Sequence, residues 1–265
     1  MNREISPKVS ILMSSFNPNE IFLRECFDSI ENQTFKDFEL ILVDDGSFET
    51  DFDSILSNYS FRYTLIKNSQ NLGVSRSMNN GLKVCNGSYI AKMDDDDIMH
   101  PDRLKLQYEF LQNKRGVVFT SVNLIDNNSN IINGVFNHNS KIKDSELKNL
   151  LIRSSNILTH STMFIRKEDL ISSGGYNEKV FYAQDYDLYM RLLDKIPFYK
   201  LENVLVSYRL NMERRSKWKE IASYTSAFSS VANYVSSHPT VFNKLLFIRR
   251  LLSFSKNILF IVFSN

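Results

Sequence analysis

Four short apolar runs punctuate the first hundred residues, and three of them break off at a polar or acidic turn. Val9–Phe16 ends in Asn17-Pro18, Phe38–Val43 in Asp44-Asp45-Gly46-Ser47, and Ser88–Met93 in Asp94-Asp95-Asp96-Asp97. Tyr63–Ile66 lies between the last two. Runs of this length, rich in aliphatic residues and without alternation, read as strands covered on both faces. The segments between them carry a different period. Ile21, Leu23, Cys26, Phe27 and Ile30 recur at helical spacing, a second helix is expected over about Val74–Cys85, and a third begins after Pro101. Val117–Ser121 reads as a fifth strand. Strands alternating with helices give βαβ units and a mostly parallel sheet, so the fold class is α/β. In such sheets ligands collect beyond the carboxyl ends of the strands. Phe16, Asp45 and Asp94–Asp97 all fall there.

The rest of the chain is less regular. Residues 122–150 are rich in Asn, Ser and Lys and read as loops with a short helix at about 144–152. Ile157–Leu193 holds a strand-like segment, a Gly174-Gly175 turn and a helix containing Gln184-Asp185-Tyr186-Asp187. Phe198–Leu210 reads as a last strand pair, and no Asp or Glu follows Ile221. A chain of 265 residues suits one large domain, placed at 1–215, with a helical tail at 216–265. The net charge of +2 argues against a nucleic-acid binder. Cys26 and Cys85 belong to no CxxC or Cys/His cluster, so a reduced, cytoplasmic setting is expected. The start, MNREISPKVS, has no apolar core of a secretory signal. The longest apolar run, Ile258–Phe263, is too short to span a bilayer.

Several residues carry candidate chemistry, each with a plainer alternative. Asp94–Asp97 sit between a strand and a proline-started helix. Carboxylates clustered at a strand end hold hard divalent cations that bridge to phosphates, whereas a solvated acidic turn would look the same in isolation. Asp45 is either a cap for the next helix or an acceptor for a base or ribose. Phe16 packs in the core or stacks on a nucleobase. Asp185 follows the aromatic stretch Val180-Phe181-Tyr182, as a general base or as a helix-start carboxylate facing the dipole. His160 lines a pocket or satisfies a backbone group.

Taken together, seven strings resemble family 2 glycosyltransferases in order and spacing: PKVSILMSSFN, FELILVDDGS, NLGVS, GSYIAKMDDDDIMHPDRL, HSTMFIR, GGYNE and QDYDLYMRL. The resemblance covers roughly residues 7–210. It implies a GT-A fold, a UDP-sugar donor, a Mn²⁺ or Mg²⁺ ion and inversion at the anomeric carbon. Residues to about 120 would form the nucleotide-sugar half, and 121–215 the acceptor half. Position by position, it assigns Ser14 and Phe16 to the uridine and Asp45 to the uracil edge. Asp94 and Asp96 become the acids of a DxD motif, Asp96 on the metal and Asp94 on ribose or metal, with Asp95 beside the nucleotide sugar. Asp185 becomes the catalytic base. Three positions depart from the family pattern. Met78 stands where an Arg often precedes the Asn of the third motif, which leaves Arg76 as the basic candidate. Gln184-Asp185 replaces Glu-Asp. Tyr208-Arg209 is followed by Leu210-Asn211-Met212, with no histidine in place as a metal ligand.

Two other enzyme classes fit less well. A sugar-1-phosphate nucleotidyltransferase would want a Gly-rich basic loop after the first strand, and MSSFNPNE has neither feature. A dinucleotide dehydrogenase would want GxGxxG, which follows no strand. An inactive sugar-nucleotide-binding module of the same fold is disfavoured by the presence of Asp96 and Asp185. Length and a basic tail resemble enzymes that extend a polyprenyl-linked glycan for O-antigen or capsule. In the tail, Arg249, Arg250, Ser253, Lys256 and Asn257 share one helical stripe. Phe247, Ile248, Leu251, Leu252, Phe254, Ile258 and Ile261 share the other. That pattern suits a helix lying on the cytoplasmic membrane surface. Packing of the tail on the catalytic domain, or on a second copy of the chain, is the alternative.

Overall fold

The computed structural model describes residues 6–132, 144–153, 157–210 and 217–263. Asn211, Met212, the part of the expected loop at 133–143, and the side chains of Ser253, Lys256, Asn257, Ile258 and Ile261 lie outside the described residues. In chain order the elements are β1 (Val9–Ser15), α1 (Glu20–Glu31), β2 (Phe38–Asp44), α2 (Phe52–Leu56), β3 (Tyr63–Lys67) and α3 (Val74–Val84). Next come β4 (Tyr89–Lys92), β5 (Ile98–Met99), α4 (Arg103–Leu111), β6 (Val117–Ile125) and α5 (Asp144–Arg153). The last are β7 (Phe164–Arg166), α6 (Lys167–Ser172), α7 (Gln184–Leu192), β8 (Phe198–Arg209), α8 (Lys217–Ser237) and α9 (Val241–Phe263).

The strands form one eight-stranded sheet in the order β3-β2-β1-β4-β7-β6-β8-β5. β1 pairs in parallel with β2 on one side and β4 on the other, and β2 pairs in parallel with β3. The order therefore reverses between β1 and β4, which is where an α/β sheet opens a crevice at its carboxyl end. β7 is antiparallel to both β4 and β6.

Alternation along the buried strands divides the core into two layers. Val9, Ile11 and Met13 of β1, with Leu40 and Leu42 of β2, pack with Leu23, Phe27 and Ile30 of α1. Leu12 and Ile41 face the other way, into a layer with Met78, Tyr186, Tyr189, Val231 and Leu246. The start of α1 is set by Asn19, whose side chain accepts from the Ile21 and Phe22 amides.

Four sequence expectations are corrected. Ile21 is exposed, because it belongs to the first turn of α1 and precedes its buried face. β6 continues past Ser121 to Ile125: Val122 and Leu124 bury against Val206, a pairing hidden in sequence by the polar Asn123 between them. Phe198–Arg209 is one twelve-residue strand rather than a pair. Its register against β6 shifts between Thr120 and Val122, which absorbs the exposed Glu202-Asn203 as an irregularity within the strand. Arg250 is buried against the catalytic domain instead of sharing an outward cationic stripe with Arg249. The short elements α2 and β5 carried no legible period.

Candidate active site

The crevice at the β1/β4 reversal holds a cavity of about 1100 Å³. Ser14 and Phe16 enter it from the end of β1, and Asp94, Asp95 and Asp96 from the end of β4. His160, Gln184 and Asp185 enter it from the other half of the domain. The sequence placed the first group on one rim; the fold supplies the second group across from it.

The end of β1 is locked to the end of β2. Asn17 takes a left-handed φ of 44°, its amide donates to Ser47 Oγ (2.9 Å), and its side-chain oxygen accepts from the Phe48 amide (3.0 Å). Phe16 is thereby left 45% exposed, with its ring edge-on to Phe48 at 6.3 Å. An aromatic held half out of the core at a cavity wall is available for stacking.

Asp45 is placed differently from the expectation. It does not line the cavity, and its buried carboxylate already accepts four hydrogen bonds. Oδ1 accepts from Asn68 Nδ2 (2.9 Å), the Leu72 amide (2.8 Å) and Ser77 Oγ (2.7 Å), and Oδ2 from the Gly73 amide (2.9 Å). Asp45 clasps the 68–77 segment. Gly46, at φ 83°, permits the clasp, since a Cβ there would lie 2.5 Å from the Gln70 carbonyl carbon. Arg76 is not brought to the cavity either. It is exposed on α3 and faces Glu178 at 3.5 Å, while Met78 is fully buried in the core.

The four aspartates divide by role. Asp94 pairs with the buried Lys92, and Ser15 donates to Asp95. Burial, opposed by the hydrogen bond from Ser15, pushes the Asp95 carboxyl up to about 6. Burial also raises Asp96, against the attraction of Lys92. Asp97 turns away from the cavity: its Oδ1 accepts from the Arg209 amide at 2.8 Å. Buried cations offset the carboxylates. Arg103, fully buried, donates to the Lys92 carbonyl (2.7 Å) and to Gln107. Arg209 donates to the carbonyls of Asp96 and Asp126, both at 2.8 Å, and pairs with Glu25, its guanidinium lying 4.0 Å from the Phe22 ring. Sequence reasoning missed both arginines. Neither stands out locally, since HPDRL and SYR surround them with polar residues and their partners lie far along the chain.

Among the described residues no three His, Cys, Asp or Glu side chains converge on a metal-sized point. The donor set nevertheless suits a hard cation. Asp94 and Asp96 offer carboxylate oxygens at the cavity wall, and Mg²⁺-type ions commonly take one or two carboxylates with the remaining ligands from water and substrate phosphates.

Across the cavity, α7 begins at Ala183, which is held in the left-handed region at φ 53° and ψ 38° without a side-chain cap. That conformation costs a non-glycine residue free energy and is retained where surrounding structure requires it. It places Asp185 in the first turn of α7 at the cavity, with Phe181, 80% exposed, and Tyr182 beside it. His160 lines the cavity with its ring nitrogens near two tyrosine hydroxyls, Tyr189 (2.8 Å) and Tyr176 (3.0 Å), rather than a backbone group. Burial lowers its pKa well below the usual histidine range, favouring the neutral ring. Lys219, Ser223 and Tyr224 of α8 and Arg250 of α9 complete the wall. The tail helices thus share in the site.

Known proteins share this fold. The model of glycosyl transferase family 2 matches residues 10–173. An uncharacterized glycosyltransferase of Methanocaldococcus jannaschii is 33% identical over 228 residues, covering 82% of this chain and 77% of its own. The O-antigen biosynthesis glycosyltransferase WbnJ of Escherichia coli is 30% identical over 235 residues, covering 85% and 90%. Among solved structures, S. aureus TarS 1–349 in complex with UDP superposes with a TM-score of 0.71 at 18% identity, over 97% of this chain and 75% of that one. The mannosyltransferase PcManGT of Pyrobaculum calidifontis, in complex with GDP-Man and Mn²⁺, gives 0.66 at 16% identity, over 88% and 65%.

Proposed function

This chain belongs to glycosyl transferase family 2, a glycosyltransferase with the GT-A fold, and we propose that it moves a hexose or N-acetylhexosamine from a UDP-sugar to a glycan acceptor with inversion. The observation that carries the reading is the meeting of Asp94 and Asp96 with Asp185 in one cavity. Phe16 and Ser14 take the uridine, and the 68–77 segment clasped by Asp45 shapes that side. Asp94 and Asp96 would hold a Mn²⁺ or Mg²⁺ ion. Such an ion offsets the charge that develops on the departing diphosphate.

Asp185 accepts the proton of the attacking acceptor hydroxyl. Base assistance of this kind contributes about 10²–10⁴ in rate. Attack from the face opposite the leaving diphosphate turns an α-linked donor into a β-linked product in one displacement. Phe181 and Tyr182 offer apolar rims on which an acceptor sugar ring can rest. We divide the chain into a catalytic unit over 1–215 and a tail over 216–265, with α8 and α9 lending one wall to the first.

The acceptor fits a polyprenyl-diphosphate-linked glycan of a surface polysaccharide, as WbnJ acts in O-antigen biosynthesis. No helix among the described residues is long and apolar enough to cross a membrane. The outer face of α9 exposes Val241, Leu245, Ile248 and Leu252 at helical spacing, next to exposed Lys244 and Arg249. That face suits attachment to the inner surface of the cell membrane, each cation adding about 1 kcal/mol near anionic lipid. The deciding experiment is a screen of nucleotide sugars with Mn²⁺, read by released UDP and by the anomeric configuration of the product. Absence of turnover with every UDP-sugar would sink the donor assignment, and retention of configuration would sink the single displacement.

A further inference from the structure

Arg250 is 7% exposed and reaches the cavity from α9. Its Nη1 donates to the Tyr186 hydroxyl at 3.0 Å, and its guanidinium lies 4.8 Å from the centre of the Tyr186 ring. Among the described residues it has no carboxylate within ion-pair distance. A guanidinium carries five N–H donors, and among the described residues one of them is engaged. An arginine buried with an uncompensated charge is costly, and such costs are retained where a ligand supplies the counter-charge. Tyr224 lies close enough to interact with the Arg250 charge, and Lys219 places a second cation at the exposed rim of the same wall.

We infer that Arg250, with Tyr186 and the Lys219 rim, forms an anion subsite on the acceptor side of the cavity that takes the phosphoryl oxygens of a phosphate- or diphosphate-bearing acceptor. The side is fixed by the tether. Arg250 is tied to Tyr186, the residue after Asp185, whereas the donor residues belong to β1 and β4. The inference rests on the reading of Asp185 as the group facing the acceptor. Phosphoryl oxygens fit better than a neutral sugar, because hydroxyls would leave the buried cation uncompensated and a planar guanidinium matches phosphate through paired N–H donors. The same helix turns Ile248 and Leu252 outward. A phosphate borne on a lipid would lie against one helix that turns Arg250 inward and an apolar row outward.

The test titrates inorganic phosphate into the full chain by calorimetry, alone and with saturating UDP and Mg²⁺. The wild-type chain is expected to bind phosphate equally well in both arms, because the donor diphosphate occupies a separate place. Arg250→Met should weaken that binding by roughly 10- to 100-fold, the loss expected for a hydrogen bond to a charged group, and leave UDP affinity unchanged. Arg250→Lys should recover part of it, and thermal melting shows whether each variant is folded. Phosphate displaced by UDP would place Arg250 in the donor's diphosphate subsite and overturn the proposal. So would phosphate binding that survives in Arg250→Met, or none in the wild-type chain. The UDP competition needs no variant and decides even if Arg250→Met does not fold. A chain that binds phosphate but no UDP would instead refute the donor reading of the cavity.

Discussion

Replacing Asp96 by asparagine keeps the side chain's shape and removes its charge, and replacing Asp185 does the same across the cavity. The two variants should fail differently. Asp96→Asn is expected to lower transfer by at least about a hundredfold, since a metal at a departing diphosphate is worth several kcal/mol. Its melting temperature should hold, because Asp96 faces the cavity. Full activity in Asp96→Asn, or in excess chelator, would remove the metal from the reading. Asp185→Asn should keep UDP affinity within about twofold and lose about 10²–10⁴ in rate, the share of a general base. A large loss of UDP affinity with little change in rate would move Asp185 to the donor side. At this scale the sequence announced Asp94, Asp96 and Asp185 through their strings. It could not announce that Asp45 is saturated by the Leu72 and Gly73 amides, because backbone donors leave no mark in a sequence. Nor could it reveal that Arg76 would turn to Glu178.

Elements whose period matches their burial were legible, and those held by partners far along the chain were not. β1, β2 and β4 are buried almost throughout, with both sheet faces covered, and their sequences are mainly apolar. β8 looked like two strands because Glu202-Asn203 interrupts its apolar pattern where the β6 register slips. The acidic turn after β4 is shaped by Arg209 at the end of β8, 113 residues from the Asp96 carbonyl that it binds. Arg209→Met should leave Glu25 and two carbonyls without their partner. Breaking a buried charge network of this kind costs about 3–5 kcal/mol, or on the order of 10 °C in Tm for a chain of this size. A melting curve within 2–3 °C of wild type would show the network to be ornamental. In α9 the described residues amend the expected stripes: Arg250 faces inward and the exposed row is Val241, Leu245, Ile248 and Leu252. The double variant Ile248→Glu/Leu252→Glu should therefore bind UDP normally and lose at least about tenfold in partitioning to anionic vesicles, since each buried side chain contributes about 1.5–3 kcal/mol. Undiminished flotation with such vesicles, or a wild-type chain that never floats, would remove the membrane from the reading.

On the scale of the whole molecule, the cavity is assembled from β1 and β4 near the start, α7 in the middle, and α8 and α9 at the end. The donor side resides in local βαβ units and can form early, because domains fold from their N-terminal side as they emerge. The opposite wall is not complete until residue 250 has been made. At about 5–20 residues per second, roughly 8–30 s separate synthesis of Asp97 from synthesis of Arg250. During that interval the crevice of a nascent chain has that side open to water. A wall that closes last keeps the crevice open on that side until α9 has been made.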